Sequence, residues 1–201
     1  MKVSNNRHTI ILKNFLKEWG LTLLIMSALV ILFTFFLSVV KVSGHSMDPN
    51  LADKQRLVMS KNSAIHRYDI VVSKEPGADI NIIKRVIGLP GDTIESQNDT
   101  LKINGKIQKE NYLDDYKSKF KSGTLEETYN YSNIYQNIAK DAFNFTSDFS
   151  VTVPENCYFL LGDNRLISKD SRSFGPVPKN FILGKVLFRF WPLDTLQIIN
   201  K

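Results

Sequence analysis

A run of twenty residues without a charged side chain, Leu21 to Val40, constrains this 201-residue chain more than any other feature. As an α-helix rising about 1.5 Å per residue, the run would be about 30 Å long, the thickness of the hydrocarbon core of a bilayer. A cleaved signal peptide is the alternative, because Val42-Ser43-Gly44 faintly resembles a small-residue cleavage site. The run is longer than the usual core of such peptides, however, and Lys41 intervenes. We predict a transmembrane helix over 21–40, preceded by a segment over 1–20.

Basic residues flank the run on both sides and bear on its orientation. They are Lys2, Arg7, Lys13 and Lys17 before it, and Lys41, Lys54, Arg56 and Lys61 after it. Within about fifteen residues of the two ends the count is three to two, which favours a cytoplasmic N-terminus. Long domains cross membranes largely regardless of their charge, so the side on which the rest of the chain lies depends on what that domain is.

The formal charge of +6 raises the possibility of nucleic-acid binding. Lysine and arginine are scattered among acidic residues rather than gathered in one segment, which is typical of a solvated surface with some attraction to anionic lipid headgroups. We therefore expect no nucleic-acid partner. The single cysteine, Cys157, lies in an apolar segment and excludes an intramolecular disulfide.

Residues 41–201 are enough for one domain with a sizeable core. Their apolar segments are short, β-branched and separated by turn residues, which is the pattern of strands. The predicted strands are Arg56 to Met59, Asp69 to Val72, Ile82 to Ile87, Leu101 to Ile103, Cys157 to Leu161 and Lys185 to Phe190. Asn104-Gly105 predicts a tight hairpin. Residues 110–150 are polar and aperiodic and are interpreted as an inserted cap with weak secondary structure. The fold class is therefore mainly antiparallel β.

Ser46 follows the apolar run by six residues, a distance of at most roughly 20 Å, so its chemistry takes place close to the bilayer. A serine nucleophile needs an adjacent base. His8 precedes the span, and His45 is the chain neighbour of Ser46, whose side chain points to the opposite face of an extended chain. A serine–histidine triad is thus open only through His66.

Lys84 is a second candidate base, inside the predicted strand 82–87. On that strand Ile82 and Val86 share its face, and Arg85 points away. Burial between apolar groups lowers a lysine pKa, so the amine is able to accept the Ser46 proton. A lysine that extends from an edge strand into solvent is the alternative.

A polar segment, 162–175, follows the predicted strand Cys157 to Leu161. It is either a loop stabilised by Asp and Ser turns or part of the site. In the second interpretation Ser168 orients the Lys84 amine, and Asp170 forms an ion pair with Arg172 that fixes the loop.

Three sequences together resemble those of type I signal peptidases, of the compact single-span form of Gram-positive bacteria. They are Ser-Gly-His-Ser-Met-Asp-Pro at 43–49, Lys-Arg-Val-Ile-Gly-Leu-Pro-Gly-Asp at 84–92, and Gly-Asp-Asn-Arg at 162–165 with Ser-Lys-Asp-Ser-Arg at 168–172. Tyr-Asp-Ile-Val-Val at 68–72 is a weaker fourth match. The resemblance covers nearly the whole chain except 110–150.

The resemblance implies a signal-peptidase catalytic domain over 41–201, outside the cytoplasm behind a single-pass anchor in the cytoplasmic membrane. It implies Ser46 as nucleophile, Lys84 as base and Ser168 as the lysine-orienting group, with Asp170 and Arg172 as supports. The substrates would be exported preproteins cut after small residues, with Met47 as a wall of the small pocket. No metal or organic cofactor is implied, and proximity to the secretion machinery is expected.

Two residues depart from the family pattern. Gly44 replaces a serine whose hydroxyl helps to form the oxyanion hole in some relatives, and Asn50 replaces a common threonine. A peptidase dedicated to one substrate, a catalytically inactive membrane-bound module and a basic domain that binds lipid or nucleic acid remain open. Self-cleaving repressors are excluded because residues 1–20 are too short for a DNA-binding part.

Overall fold

A computed structural model describes residues 4–199, without the side chains of 4–12, Asn14 and Leu32. In this range one helix, α1 (Ser4–Phe36), is long and apolar enough to cross a bilayer, over its last 22 residues, Phe15–Phe36. The predicted helix over 21–40 therefore has different bounds. It starts inside the predicted segment 1–20, of which residues 1–3 lie outside the described chain, and it ends four residues before Val40.

Strand β1 (Leu37–Lys41) takes the place of the predicted end of the helix. Val39 and Val40 are β-branched, which weakens a helix and suits a strand. β1 neighbours β2 (Arg56–Ser60) in the sheet, and Val40 packs against an apolar cluster that contains Leu57. Strand pairing and packing thus override the apolar composition that favours a longer helix.

The chain divides after Ser38 into two compact units. The second unit, from Val39 onwards, is built mainly of strands. The further strands are β3 Ile70–Lys74, β4 Asn81–Gly88, β5 Thr93–Gln97, β6 Thr100–Ile103, β7 Lys106–Ile107, β8 Phe149–Thr152, β9 Cys157–Leu161, β10 Val177–Pro178, β11 Ile182–Trp191 and β12 Gln197–Ile198. The further helices are α2 Asp114–Lys121, α3 Asn133–Asp141 and α4 Ser171–Phe174, with 3-10 turns at Asn111–Leu113, Leu125–Tyr129, Lys179–Phe181 and Leu193–Thr195.

Two sheets contain these strands. The larger has the order β1-β2-β11-β3-β4-β9-β10, with β12 beside β11, and the smaller has the order β7-β6-β5-β8. The pairings among β2 to β12 are antiparallel. The prediction of a mainly antiparallel β fold behind one N-terminal apolar helix is confirmed.

Each of the six predicted strands is present: Cys157–Leu161 has its predicted bounds, and the other five have one or both ends shifted by one to three residues. The predicted hairpin is present too, because Asn104 and Gly105 both have positive φ, 52° and 76°, as its tight turn requires. β5 and β8 were not predicted, since they contain only one apolar residue, Ile94, and two apolar residues, Phe149 and Val151, and so carry a weak apolar signal. In β5 only Ile94 and Ser96 are buried.

The predicted cap over 110–150 has more secondary structure than its sequence indicates. Its helices α2 and α3 are eight and nine residues long, too short to be stable alone. They surround an apolar cluster that includes Leu113, Tyr129 and Phe145. The interpretation of weak secondary structure was wrong because this aromatic packing links residues far apart in the sequence.

Gly88 lies where β4, which carries Lys84, meets the smaller sheet. A Cβ at this position would lie 2.8 Å from Val153 Cγ2 and 2.9 Å from Phe159 Cβ, and still closer to Ile94. The Gly88→Ala variant should lose about 1–3 kcal/mol of the free energy of unfolding, because the overpacked core must shift. Chemical denaturation measures this loss, and an unchanged midpoint would contradict the packing described.

Candidate active site

The structure brings Ser46 and Lys84 together. Ser46 lies in the turn-rich segment that follows β1, and Lys84 lies in the middle of β4. The Lys84 Nζ and the Ser46 Oγ are 2.7 Å apart, a short hydrogen bond between residues 38 positions apart. The amine and the hydroxyl are therefore close enough for direct proton transfer.

Lys84 is nearly inaccessible to water, at 3% exposure. Of the two residues that share its strand face, Val86 is fully buried and Ile82 is half-buried. Burial lowers the pKa of Lys84 to about 8, although the nearby carboxylates of Asp170, Glu75 and Asp163 act to raise it. A lysine in this environment is partly neutral near pH 8, so it is available as a base.

The loop after β9 approaches the backbone of Ser46 closely. A Cβ on Gly162 would lie 2.6 Å from the Ser46 carbonyl oxygen and would overlap the side chain of Ser168. Ser168 is therefore near the Ser46 backbone. Its hydroxyl is buried and has no hydrogen-bond partner among the described residues, so the predicted bond to the Lys84 amine is not formed here.

The predicted ion pair of Asp170 and Arg172 is present, with 2.8 Å between Arg172 Nε and Asp170 Oδ1. Asp170 is fully buried and also accepts a hydrogen bond from the Gly162 amide, at 3.0 Å. Arg172 donates in turn to the Arg165 carbonyl, at 2.8 Å. The pair thus closes the loop that carries Ser168.

A cavity of about 480 Å³, here called the Ser46 cavity, opens beside the two residues. Its lining is Lys41, Val42, Ser43, Ser46, Met47, Glu75, Ile80, Asn81, Ile82, Ile83, Lys84 and Lys169. Met47 is one of these lining residues and is itself anchored in the core at 1% exposure. β4 pairs with β3 from Asn81 onwards but with β9 only from Arg85. One edge of 81–84 is thus without a strand partner in the described chain.

Comparison with known proteins identifies the family. A model described as signal peptidase, peptidase S26, matches residues 16–191. Signal peptidase I of Streptococcus pneumoniae is 49% identical over 197 residues, covering 92% of this chain and 97% of that protein. The chain belongs to the signal peptidase family. The resemblance seen in the sequence is confirmed, and membership makes the chain a peptidase.

Two further relatives are similar over much of the chain. Signal peptidase IB of Staphylococcus aureus is 39% identical over 193 residues, covering 92% of this chain and 95% of that protein. The crystal structure of a signal peptidase I from Enterococcus faecalis is 36% identical, with a TM-score of 0.46 over 61% of this chain and 97% of that chain.

Asn164 links Ser46 to the inserted cap, a contact that the sequence did not reveal. Its backbone amide donates to the Ser46 carbonyl at 3.1 Å, and its side-chain amide donates to the His45 carbonyl at 3.2 Å. Tyr129 of the cap donates its hydroxyl proton to Asn164 Oδ1 at 2.7 Å. Tyr131 stacks on the His45 ring at a centroid distance of 3.9 Å.

Two buried ion pairs flank the site. Arg85 points away from Lys84, as predicted, and its Nε and NH2 bind the two carboxylate oxygens of Asp163 at 2.8 and 2.6 Å. Arg165 is fully buried and its NH2 lies 2.5 Å from Glu110 Oε1. Burial alone raises the pKa of Glu110, but the charges of Arg165 and Lys117 outweigh it and lower the pKa. These pairs hold the loop after β9 against the sheet and the cap.

The two histidines near the site in sequence have other partners. His66 has a side chain 71% exposed, 3.6 Å from Asp69, and does not line the Ser46 cavity. His45 Nδ1 lies 3.0 Å from Asp48 Oδ2. A serine–histidine triad through His66 is therefore not assembled. Over the described residues, no group of three or more His, Cys, Asp or Glu side chains has the geometry of a metal site.

The Gly162→Ala variant should reduce peptidase activity by about 100-fold or more. Its methyl group must displace the Ser46 carbonyl or Ser168, and a misplacement of about 1 Å near reacting groups costs a rate of this order. Gly20→Ala is the matched control, because a Cβ at Gly20 meets no atom within 4 Å. A Gly162→Ala enzyme as active as the control would contradict the close approach of this loop.

Proposed function

We propose that the chain is a membrane-anchored serine endopeptidase that removes signal peptides from exported preproteins after small residues. Ser46 is the nucleophile and Lys84 the general base, and the mechanism needs no metal or organic cofactor. One observation carries this proposal: the buried Lys84 amine lies 2.7 Å from the Ser46 hydroxyl. Family membership supports the substrate class.

The reaction follows from this geometry in two stages. The neutral Lys84 amine takes the Ser46 proton as Oγ attacks the scissile carbonyl carbon, and the resulting ammonium then protonates the leaving amine of the mature protein. In the second stage Lys84 takes a proton from water, which attacks the acyl ester and releases the signal peptide. The proton returns to Ser46 Oγ.

The tetrahedral intermediates of both stages need a donor for the oxyanion. Gly44 has no side-chain hydroxyl, and its backbone N–H donates to Asp53 Oδ1 at 2.9 Å. The proposal therefore assigns the oxyanion to the backbone N–H of Ser46. Asn164 donates hydrogen bonds to the carbonyl of His45, which precedes the Ser46 N–H in the chain, and to the carbonyl of Ser46, which follows it. These two bonds support a fixed orientation of the Ser46 N–H.

Ser168 is proposed to orient the Lys84 amine once substrate is bound. Its buried hydroxyl has no partner among the residues that the structure describes and so has hydrogen-bonding capacity to offer, and Gly162 lets it approach Ser46. Apo sites often tighten only when substrate binds. Asp170 and Arg172 are supports of the same loop and take no part in proton transfer.

The substrate is proposed to bind as an extended strand along the free edge of residues 81–84. Unpaired backbone groups at this edge offer hydrogen bonds to any preprotein sequence. Val42 and Met47 form part of the cavity wall and are 3% and 1% exposed, so they are fixed in the core and do not move aside for large side chains. This arrangement favours small residues before the cleaved bond.

The helix α1 is proposed as the single membrane anchor, with the N-terminus in the cytoplasm and the unit from Val39 onwards outside it. The basic residues before the apolar run support this orientation. Signal peptides enter the same bilayer, so an anchored enzyme meets them at its surface, near the secretion machinery. The span is proposed over Phe15–Phe36 instead of the predicted 21–40, because Leu37–Lys41 is strand β1, and the catalytic unit is proposed from Val39 onwards.

Ser46→Ala and Lys84→Met should each reduce cleavage of a preprotein with an Ala-X-Ala site by at least about 10³-fold, because the nucleophile and its base act as one unit. Gel separation of precursor and mature protein measures the rate. Ser118→Ala and Lys106→Met are matched controls at exposed positions outside the site. Wild-type rates for either site variant would disprove the assignment of the two residues.

The pH dependence of kcat/KM should show an acid limb with an apparent pKa of about 8. Below this pH Lys84 is an ammonium and has no lone pair for the Ser46 proton, so log kcat/KM should fall by about one per pH unit. Assays from pH 6 to 10 measure the limb. A limb near pH 6.5 that disappears in His66→Ala would instead favour the histidine triad.

A further inference from the structure

The Ser46 cavity contains an ion pair that the proposed mechanism does not use. Lys169 Nζ lies 2.6 Å from Glu75 Oε1, and both residues line the cavity with Ser46 and Lys84. Glu75 follows β3 and Lys169 lies between Ser168 and Asp170, 94 residues further along the chain. The pair therefore joins the β3–β4 turn to the loop of the proposed support residues.

The two partners differ in exposure. The Glu75 side chain is only 5% exposed, and that of Lys169 is 69% exposed. The Glu75 backbone is fixed as well, since its amide donates to the Ile80 carbonyl at 3.0 Å. A carboxylate so buried needs a partner for its charge, and Lys169 is the cation that binds it from the solvent side.

Charges from several elements act on the Lys84 amine. Asp170, Glu75 and Asp163 favour its ammonium form, and Arg172 opposes them. Asp170 is paired with Arg172, and Asp163 is paired with Arg85. Glu75 is compensated by Lys169, and Lys41 is a further cation of the cavity lining. Each of the three carboxylates that act on the base thus has its own cation.

We propose that Lys169 is a positioning residue for the reaction's base: by pairing with Glu75 it neutralises a buried carboxylate in the cavity wall, which would otherwise hold Lys84 as ammonium. The proposal rests on the proposed function of Lys84. It gives Lys169 a role through Glu75 and none in contact with the reacting atoms.

The test follows the acid limb of kcat/KM in four variants. Lys169→Met should move the limb up by about half a pH unit and lower kcat/KM at pH 7 about threefold, with little change above pH 9, because it exposes Lys84 to an uncompensated charge. Glu75→Gln should move the limb down. Lys169→Arg keeps a cation beside Glu75, so the acid limb of this variant should stay at the wild-type pH.

The double variant Glu75→Gln with Lys169→Met separates the two ways in which Lys169 could act. If Lys169 acts through Glu75, its loss should have no effect on the limb once the carboxylate is gone. An equal shift with and without Glu75 would overturn the proposal, as would a loss of activity that is the same at every pH. Lys119→Met removes a lysine from an exposed pair with Asp115 and is the matched control.

A second measurement distinguishes this proposal from that for the mechanism. Competitive acetylation with acetic anhydride, read by mass spectrometry, gives the pKa of Lys84 without catalysis. An unchanged Lys84 pKa in Lys169→Met and Glu75→Gln would overturn the role of the pair. If the labelling pKa moves and the kinetic limb does not, the pair acts on Lys84 as proposed and Lys84 is not the base.

Discussion

The desolvation of one amine is the constraint on which the site depends. In the proposed mechanism Lys84 acts as a base near neutral pH, which requires that burial keep water from its ammonium form and that nearby carboxylates do not outweigh that effect. Burial in the sheet supplies the first condition, because Lys84 is only 3% exposed and Val86, on the same face of β4, is fully buried. Ion pairs supply the second, because each acidic neighbour of Lys84 has its own cation.

Ser46, the proposed nucleophile, is fixed by contacts that converge from distant parts of the chain. Gly162 lets the loop after β9 approach the Ser46 carbonyl, and Asn164 binds that carbonyl and the one before it. Tyr129 connects Asn164 to the inserted cap, and Arg165 connects the same loop to Glu110. The cap is thus part of the framework that holds Ser46, and this is the role that the structure gives to residues 110–150.

Local patterns in the sequence were enough for the main strands and the β class, whereas the pairing of Ser46 with Lys84 was indicated by the polar segment 162–175 and by the resemblance to signal peptidases. Local patterns failed where distant contacts decide the outcome. Val39 and Val40 extend the apolar run in composition, yet pairing of β1 beside β2 makes them strand. Asn164 lies in the polar segment that the sequence assigned to the site. Its hydrogen bond with Tyr129 was not predicted, because the two residues are 35 positions apart and no local pattern connects them. Glu75 and Lys169, 94 residues apart, carry no local signal of their contact.

The most direct test of the account is the pKa of Lys84 in the intact, detergent-solubilised chain. Lysine labelled with ¹³C at Cε gives one resonance per side chain, and the Lys84 resonance is assigned by its loss in Lys84→Met. The account predicts that this resonance titrates near pH 8, below the ordinary lysine value of about 10.4. A resonance that titrates above pH 10 would show an ordinary ammonium at neutral pH and would contradict Lys84 as the base.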